Sequence, residues 1–257
     1  MWFQIKAYIW FLLTSKNQHG IHSPFVYQLI TKCFYDKSHY PIYHKWKAVQ
    51  QTYFKSKKTF NMYDAGAGSR VFKNTQRKVS AVAKNAGITY KRAKLLYRIS
   101  KYLHIKKALE LGTSLGLGSI ALGLNNQLEL TTVEACSTTS QFAKSAAESL
   151  KLKNIQFSNE AFESYLENLS IHTKFDLIFI DGNHQKEATL TYFSKLLPHT
   201  HNDSIVILDD IHWSKGMQDA WKEIKQNPQV RVSIDTFFWG MIFFRKEQEK
   251  EHFKIRV

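Results

Sequence analysis

The chain has 257 residues, with 36 Lys and Arg against 21 Asp and Glu, and a formal net charge of +15. Hydrophobic residues at 44% and aromatics at 14% supply enough core for one α/β domain with an N-terminal extension and argue against a disordered chain. Two cysteines, Cys33 and Cys136, stand far apart without metal-ligand spacing, which argues against a disulfide scaffold or zinc site and fits a reducing, cytoplasmic compartment.

The charge is uneven. Residues 1–109 hold 21 Lys and Arg and two acids, Asp36 and Asp64, for a net +19; residues 110–257 hold 15 and 19, for a net −4. That asymmetry points to an anionic partner for the first half, whether lipid surface, nucleic acid or acidic substrate. A solvated basic face is the alternative. No internal repeat or low-complexity tract is visible.

Residues 1–13 are apolar and aromatic, too short to span a bilayer, and carry Lys6. They lack a small-residue cleavage site, so a signal peptide is not expected. The preferred reading is a helix packed on the body; the other is an interfacial membrane helix with Trp2 and Trp10 at headgroup level. Ser23 and Pro24 begin a second helix as N-cap and first helical residue. Phe25, Leu29 and Phe34 would share one of its faces. His19 and His22 have no third ligand nearby, so capping or packing is expected of them. The glycine-rich run at 61–72 reads as a loop, either a lid or a plain turn. Residues 1–75 are taken as a helical, basic and aromatic extension that shapes the acceptor pocket.

A short helix at 79–84 and one capped by Thr89 over 90–103 follow. The second sets Ala93, Leu96, Tyr97 and Ser100 on one side and Lys91, Arg92, Lys94, Arg98 and Lys101 on the others. From residue 107 the pattern alternates. Strands are expected at 107–112, 128–134, 154–158, 175–181 and 204–209, with helices at 117–124, 137–151, 160–169, 186–197 and 214–226. Segments 231–236 and 239–245 read as a terminal hairpin, and 246–257 as a charged surface tail. Short apolar strands alternating with helices give an α/β fold with a parallel, doubly wound sheet over 76–257.

In such a sheet ligands sit beyond the carboxyl ends of the strands. The first strand runs into a glycine turn and a helix in KALELGTSLGLGS at 107–119, with Glu110, Gly112, Gly116 and Gly118. The next strand ends at Glu134, placed to accept hydrogen bonds from both ribose hydroxyls of a nucleoside. The third ends near Asn159, where adenine contacts belong. Asp181, Asp209 and Asp210 fall at the ends of the next two. Three carboxylates together repel one another, and a hard divalent cation resolves that. Helix capping by Asp210 is the competing role for that residue alone.

The segments at 110–119, Glu134 and FDLIFIDGNH at 175–184 resemble class I S-adenosylmethionine-dependent methyltransferases, and most nearly the cation-dependent O-methyltransferases of the catechol and caffeoyl-CoA type. The resemblance covers roughly 86–246. It implies a Rossmann-like seven-stranded sheet in the order 3-2-1-4-5-7-6, with strand seven antiparallel. It also implies S-adenosylmethionine held by Gly112, Thr113, Ser114 and Gly116, with Glu110 and Ser119 beneath, Glu134 on the ribose, Asn159 near adenine, and Ile88 and Thr89 against the cofactor. Magnesium or another divalent cation would lie on Asp181, Asp209 and Asp210, Asp181 also bordering the cofactor.

Two positions depart from the pattern. Asp210 stands where Asn is frequent, and His184 replaces the lysine general base, with Lys186 close by as a second candidate. The expected activity is methyl transfer to a hydroxyl of a small-molecule or lipid-like acceptor, with Asp181 and His184 at the chemistry. An RNA methyltransferase using the basic half, or a noncatalytic membrane-surface protein keeping the fold, are the alternatives. A nucleic-acid partner is not favoured, because no Asn-Pro-Pro-Tyr-like motif is present. Peripheral membrane contact through 1–13 and a homodimer are both compatible with the sequence.

Overall fold

Capping side chains start several helices where the sequence places them, in a computed structural model that describes residues 2–62 and 76–257. Helix α1 (Trp2–Thr14) precedes α2 (Pro24–Leu29), where the Ser23 hydroxyl accepts the Val26 N–H and Pro24 opens the first turn. A π-helical turn over Ile30–Phe34 extends α2. Next come α3 (Ile42–Lys55), β1 (Thr59–Asn61), β2 (Gln76–Lys78) and α4 (Val79–Asn85). In α5 (Tyr90–Tyr102) the Thr89 hydroxyl accepts the Arg92 N–H. The alternating region follows with β3 (Lys107–Leu111), α6 (Leu117–Gly123), β4 (Glu129–Val133), α7 (Ser137–Ser149), β5 (Ile155–Ser158) and α8 (Phe162–Glu167). It continues with β6 (Leu177–Ile180), α9 (Lys186–Leu196), β7 (Ile205–Asp209), α10 (Lys215–Gln226), β8 (Val232–Asp235), β9 (Trp239–Phe243) and β10 (Glu251–Lys254). The glycine-rich loop expected at 61–72 lies, from residue 63 onward, outside the described residues.

The chain divides into two units, one of residues 36–165 and one of 1–35 with 166–257. In the first, β3 pairs in parallel with β4, and β4 with β5. The apolar residues of β3 and β4 that face the helices are buried, Ala108, Leu109, Leu111, Leu130 and Val133 among them. Helix α3 is fixed to this unit by polar anchors. Trp46 Nε1 donates to the Leu117 carbonyl at 2.8 Å, and Tyr53 Oη donates to the Phe142 carbonyl at 2.9 Å. Helix α5 buries Ala93, Leu96, Tyr97 and Ser100, the face the sequence predicts. Its basic side chains are not simply solvated. Lys94 lies over Tyr43 and Tyr90, Lys101 over Tyr40 and Tyr97, and Arg98 donates to the Asp36 carbonyl.

In the second unit β6 pairs in parallel with β7, and β9 runs antiparallel to both β7 and β8. Numbering the sheet strands from β3 as one, the units supply the 3-2-1 and 4-5-7-6 parts of the expected order. The fold is the α/β doubly wound class, with β9 antiparallel to both its neighbours in the sheet. The charged tail adds an eighth strand: β10 pairs in parallel with β8, from Glu251 beside Val232 to Lys254 beside Asp235. Its brevity and its Glu, His and Lys side chains suit an edge position.

Helix α1 packs on its unit through few residues. It forms, yet Phe11 is its one buried residue. Its contacts include those of the Tyr8 and Phe11 rings with Phe237, at 4.8 and 5.6 Å between centroids, and a hydrogen bond from Lys254 Nζ to Thr14 Oγ1.

Candidate cofactor and metal sites

The glycine turn after β3 is built around backbone conformations that most side chains resist. Gly112 has φ +109° and Gly116 φ +78°, and Ser114 joins them at +48°. A Cβ at Gly116 would stand 2.6 Å from the Ala143 Cβ on α7, so glycine there also permits close helix packing. Glu134, one residue beyond β4, closes the turn from the other side. Its Oε2 accepts the Ser114 N–H at 2.8 Å and its Oε1 the Cys136 N–H at 2.9 Å. The carboxylate is half-buried, at the carboxyl end of β4 where a nucleoside would lie. Asn159 Nδ2 donates to the Glu134 carbonyl at 2.6 Å, tying the end of β5 to the end of β4.

Other predicted residues support this turn from below. Glu110 is fully buried; its Oε2 accepts from the Ser119 hydroxyl and from Thr132 Oγ1, while Oε1 has no partner among the described residues. Burial pushes its carboxyl up to about 7, against the pull of those two hydroxyls. Thr113 is buried and shares a 2.6 Å hydrogen bond with Thr132. Ile88 is buried, and the Thr89 hydroxyl is engaged in capping α5. Thus Gly112, Ser114, Gly116, Glu134 and Asn159 come together around the turn, whereas Glu110, Thr113 and Ser119 form its buried support.

In the other unit, Asp181 follows β6 and Asp209 ends β7. Ligand-capable atoms of Asp181, His184 and Asp209 all lie within 4.8 Å of one another, and His184 Nε2 is 3.9 Å from Asp181 Oδ1. This trio could hold a cation through two carboxylate oxygens and one imidazole nitrogen. Asp210 stands next in the chain at φ +52°, outside the trio. Burial holds the His184 imidazole below its ordinary pKa, with Asp209 opposing, which favours the neutral ring that a ligand or proton acceptor requires. Lys186 is engaged elsewhere. Its Nζ is 3.1 Å from Glu223 Oε2, a pairing that raises its pKa and keeps it protonated, so that it cannot accept a proton. His19 and His22 belong to no metal-capable group of three among the described residues.

Sequence reasoning missed a buried pair beside these acids. His212 Nε2 and Asp235 Oδ2 are 2.9 Å apart, and the imidazole stacks on Phe237 at 5.1 Å with 13° between the rings. Asp235 Oδ1 accepts the Phe237 N–H, where Phe237 has φ +74°. The sequence signal was limited to His212 lying close after Asp209 and Asp210; nothing linked it to a residue on β8.

Comparison with known proteins bears directly on this arrangement. Residues 109–211 match the model of a family described as a methyltransferase domain. Over that stretch the chain is similar to methyltransferase domains. The match begins one residue before Glu110 and ends just after Asp210, so it contains both groups of candidate residues save Ile88 and Thr89. Similar solved structures include a Podospora anserina methyltransferase, PaMTH1, bound to S-adenosylhomocysteine (13% identity, TM-score 0.60, covering 87% of this chain and 97% of that one). A Bacillus cereus O-methyltransferase, also with S-adenosylhomocysteine, is 18% identical at TM-score 0.56, covering 84% and 96%. The O-methyltransferase TomG of Streptomyces achromogenes, in complex with S-adenosylmethionine, is 18% identical at TM-score 0.53, covering 62% and 80%. At these identities the likeness establishes the fold alone, a Rossmann-like α/β fold. A search of curated proteins gives no match.

Proposed function

We propose that the methyltransferase domain uses S-adenosylmethionine to methylate a hydroxyl oxygen of a small-molecule acceptor, with a divalent cation on Asp181 and Asp209. The observation that carries this reading is Glu134, a carboxylate aimed by two backbone N–H groups at the end of β4 beside a glycine turn. Glu110 with its orphan Oε1 and the left-handed turn residues support it, as does the Asp181, His184 and Asp209 trio.

S-adenosylmethionine supplies a methyl group on a sulfonium, and a divalent cation supplies the Lewis acidity that lowers a hydroxyl pKa. The protein's residues do the rest. Glu134 accepts both ribose hydroxyls and fixes the nucleoside. Gly112, Thr113, Ser114 and Gly116 admit the methionine end close to the backbone, and Asn159 borders the adenine. Asp181 and Asp209 hold the cation, with Asp210 available as a further oxygen ligand. His184 takes the acceptor's proton. Catalysis then rests on orientation, since no covalent intermediate with the protein is needed. The segment 1–75 selects the acceptor, a role favoured by Trp46 on α3, whose indole meets the first residue of α6 just after the glycine turn.

The test is calorimetric binding of S-adenosylhomocysteine followed by transfer of radiolabelled methyl to fractionated cell extract, with and without chelator. Absence of cofactor binding removes the whole reading. Cofactor binding with transfer unaffected by chelator removes the cation.

A further inference from the structure

Helix α1 reverses the usual layout of a surface helix. At about 100° per residue, Phe11 marks the inward side with Phe3, Gln4 and Ala7 flanking it, all at least partly covered. The opposite arc carries Trp2 (78% exposed), Leu13 (75%), Trp10 (62%), Ile9 (53%), Ile5 and Leu12. Lys6 is the single charge among them. Contiguous apolar surface of this kind marks an interaction site rather than ordinary scatter. Thirteen residues rise only about 20 Å, and no described helix is long and apolar enough to cross a membrane.

We propose that α1 docks this protein onto the interface of an anionic lipid bilayer, lying in the plane with Trp2 and Trp10 among the headgroups. Charge decides the occupant. Lys6 can extend its ammonium from an apolar arc to the phosphates while its stem stays in the acyl region. Exposed Lys16 follows directly after the helix, and exposed Arg256 lies beside it through the bridge of Lys16 to Ile255. The chain's net +15 draws it toward an anionic surface over longer range. A second copy of the chain is the poorer occupant. Pairing two α1 helices about a two-fold axis sets Lys6, near the middle of the arc, against its own mate, and brings two strongly cationic molecules together. Aromatic belts and in-plane amphipathic helices are the general solution for such a segment in lipid.

The experiment is co-sedimentation of the full chain with extruded vesicles of phosphatidylcholine, with or without phosphatidylglycerol. Binding is expected on the anionic vesicles and should weaken as salt is raised. The double variant Trp2→Ser, Trp10→Ser should lower the partition coefficient roughly tenfold or more, with an unchanged circular-dichroism melting curve showing that it is folded. The proposal is overturned if folded wild-type protein stays in the supernatant, or if the double variant partitions like wild type. It is equally overturned if ultracentrifugation finds a dimer that the same variant dissolves while vesicles bind neither form. Partition is read without any methyl transfer, so the outcome stands apart from the proposed reaction.

Discussion

The Ser114 N–H donates to Glu134 Oε2 at 2.8 Å, so the residue proposed to hold the ribose also holds the glycine turn. A charge-assisted bond of this type is worth roughly 1.5–3 kcal/mol. Glu134→Ala should therefore weaken S-adenosylhomocysteine binding by about 10- to 100-fold and also lower the melting temperature. Glu134→Gln keeps an acceptor and should fall between. Calorimetry and thermal melts on the same samples separate the two effects.

Gly116 meets two constraints at once, a left-handed φ and the Ala143 Cβ at 2.6 Å from any added methyl. Gly116→Ala should cost about 1–3 kcal/mol in a denaturant titration. The double variant with Ala143→Gly should recover part of that loss, because it relieves the clash and leaves the backbone strain. Full recovery, or none, would show that one constraint alone governs the position.

Glu110 predicts a pH dependence of stability. Its carboxyl rises from 4.5 to about 7 on folding because it is buried, with Glu134 adding to the rise. The folded state thus prefers the protonated form. The associated stability is fully present below the unfolded value and disappears as pH climbs through the folded one. Between about pH 5 and about pH 8 the protein should lose roughly 3 kcal/mol at most from this group. Glu110→Gln should flatten that slope in melts across the same range.

His184 and Lys186 can be told apart by rate. Once an acceptor is in hand, His184→Ala should reduce kcat by roughly 10²- to 10⁴-fold, the span typical for a lost general base. Lys186→Gln should stay within about twofold, since its partner is Glu223 and surface pairs contribute little. A large loss in the lysine variant would reverse the assignment.

Removing one carboxylate of the trio should be visible without turnover. Asp209→Asn is expected to weaken Mn2+ binding by at least roughly tenfold, read by calorimetry on folded protein. Equal affinity in wild type and variant would place the cation elsewhere.

The sheet was readable because its strands are short apolar runs with acids at their ends, and the helices because Ser23 and Thr89 announce them. Those are local signals, and structure follows them within one to three residues. Side-chain partnerships were not readable. Asp235 looks like an ordinary strand acid until β8 sets it against His212. His184 sits three residues after Asp181, a spacing that says little about joining Asp209 within 4.8 Å, because that depends on strand pairing of β6 with β7. The edge strand β10 was hidden for a different reason: a charged tetrapeptide has weak strand propensity, and its pairing with β8 supplies the order.

The bridge of Lys16 to Ile255 has a kinetic consequence. The Lys16 N–H donates to the Lys254 carbonyl, and the Arg256 N–H donates to the Lys16 carbonyl, so the segment after α1 is clasped by residues 254–256. A ribosome delivers those residues long after α1. Throughout synthesis α1 is an emerged, sticky helix whose mooring does not yet exist, and its capture is among the slowest closures the topology allows. The window in which chaperones or a membrane first meet this helix therefore opens before its clasp exists.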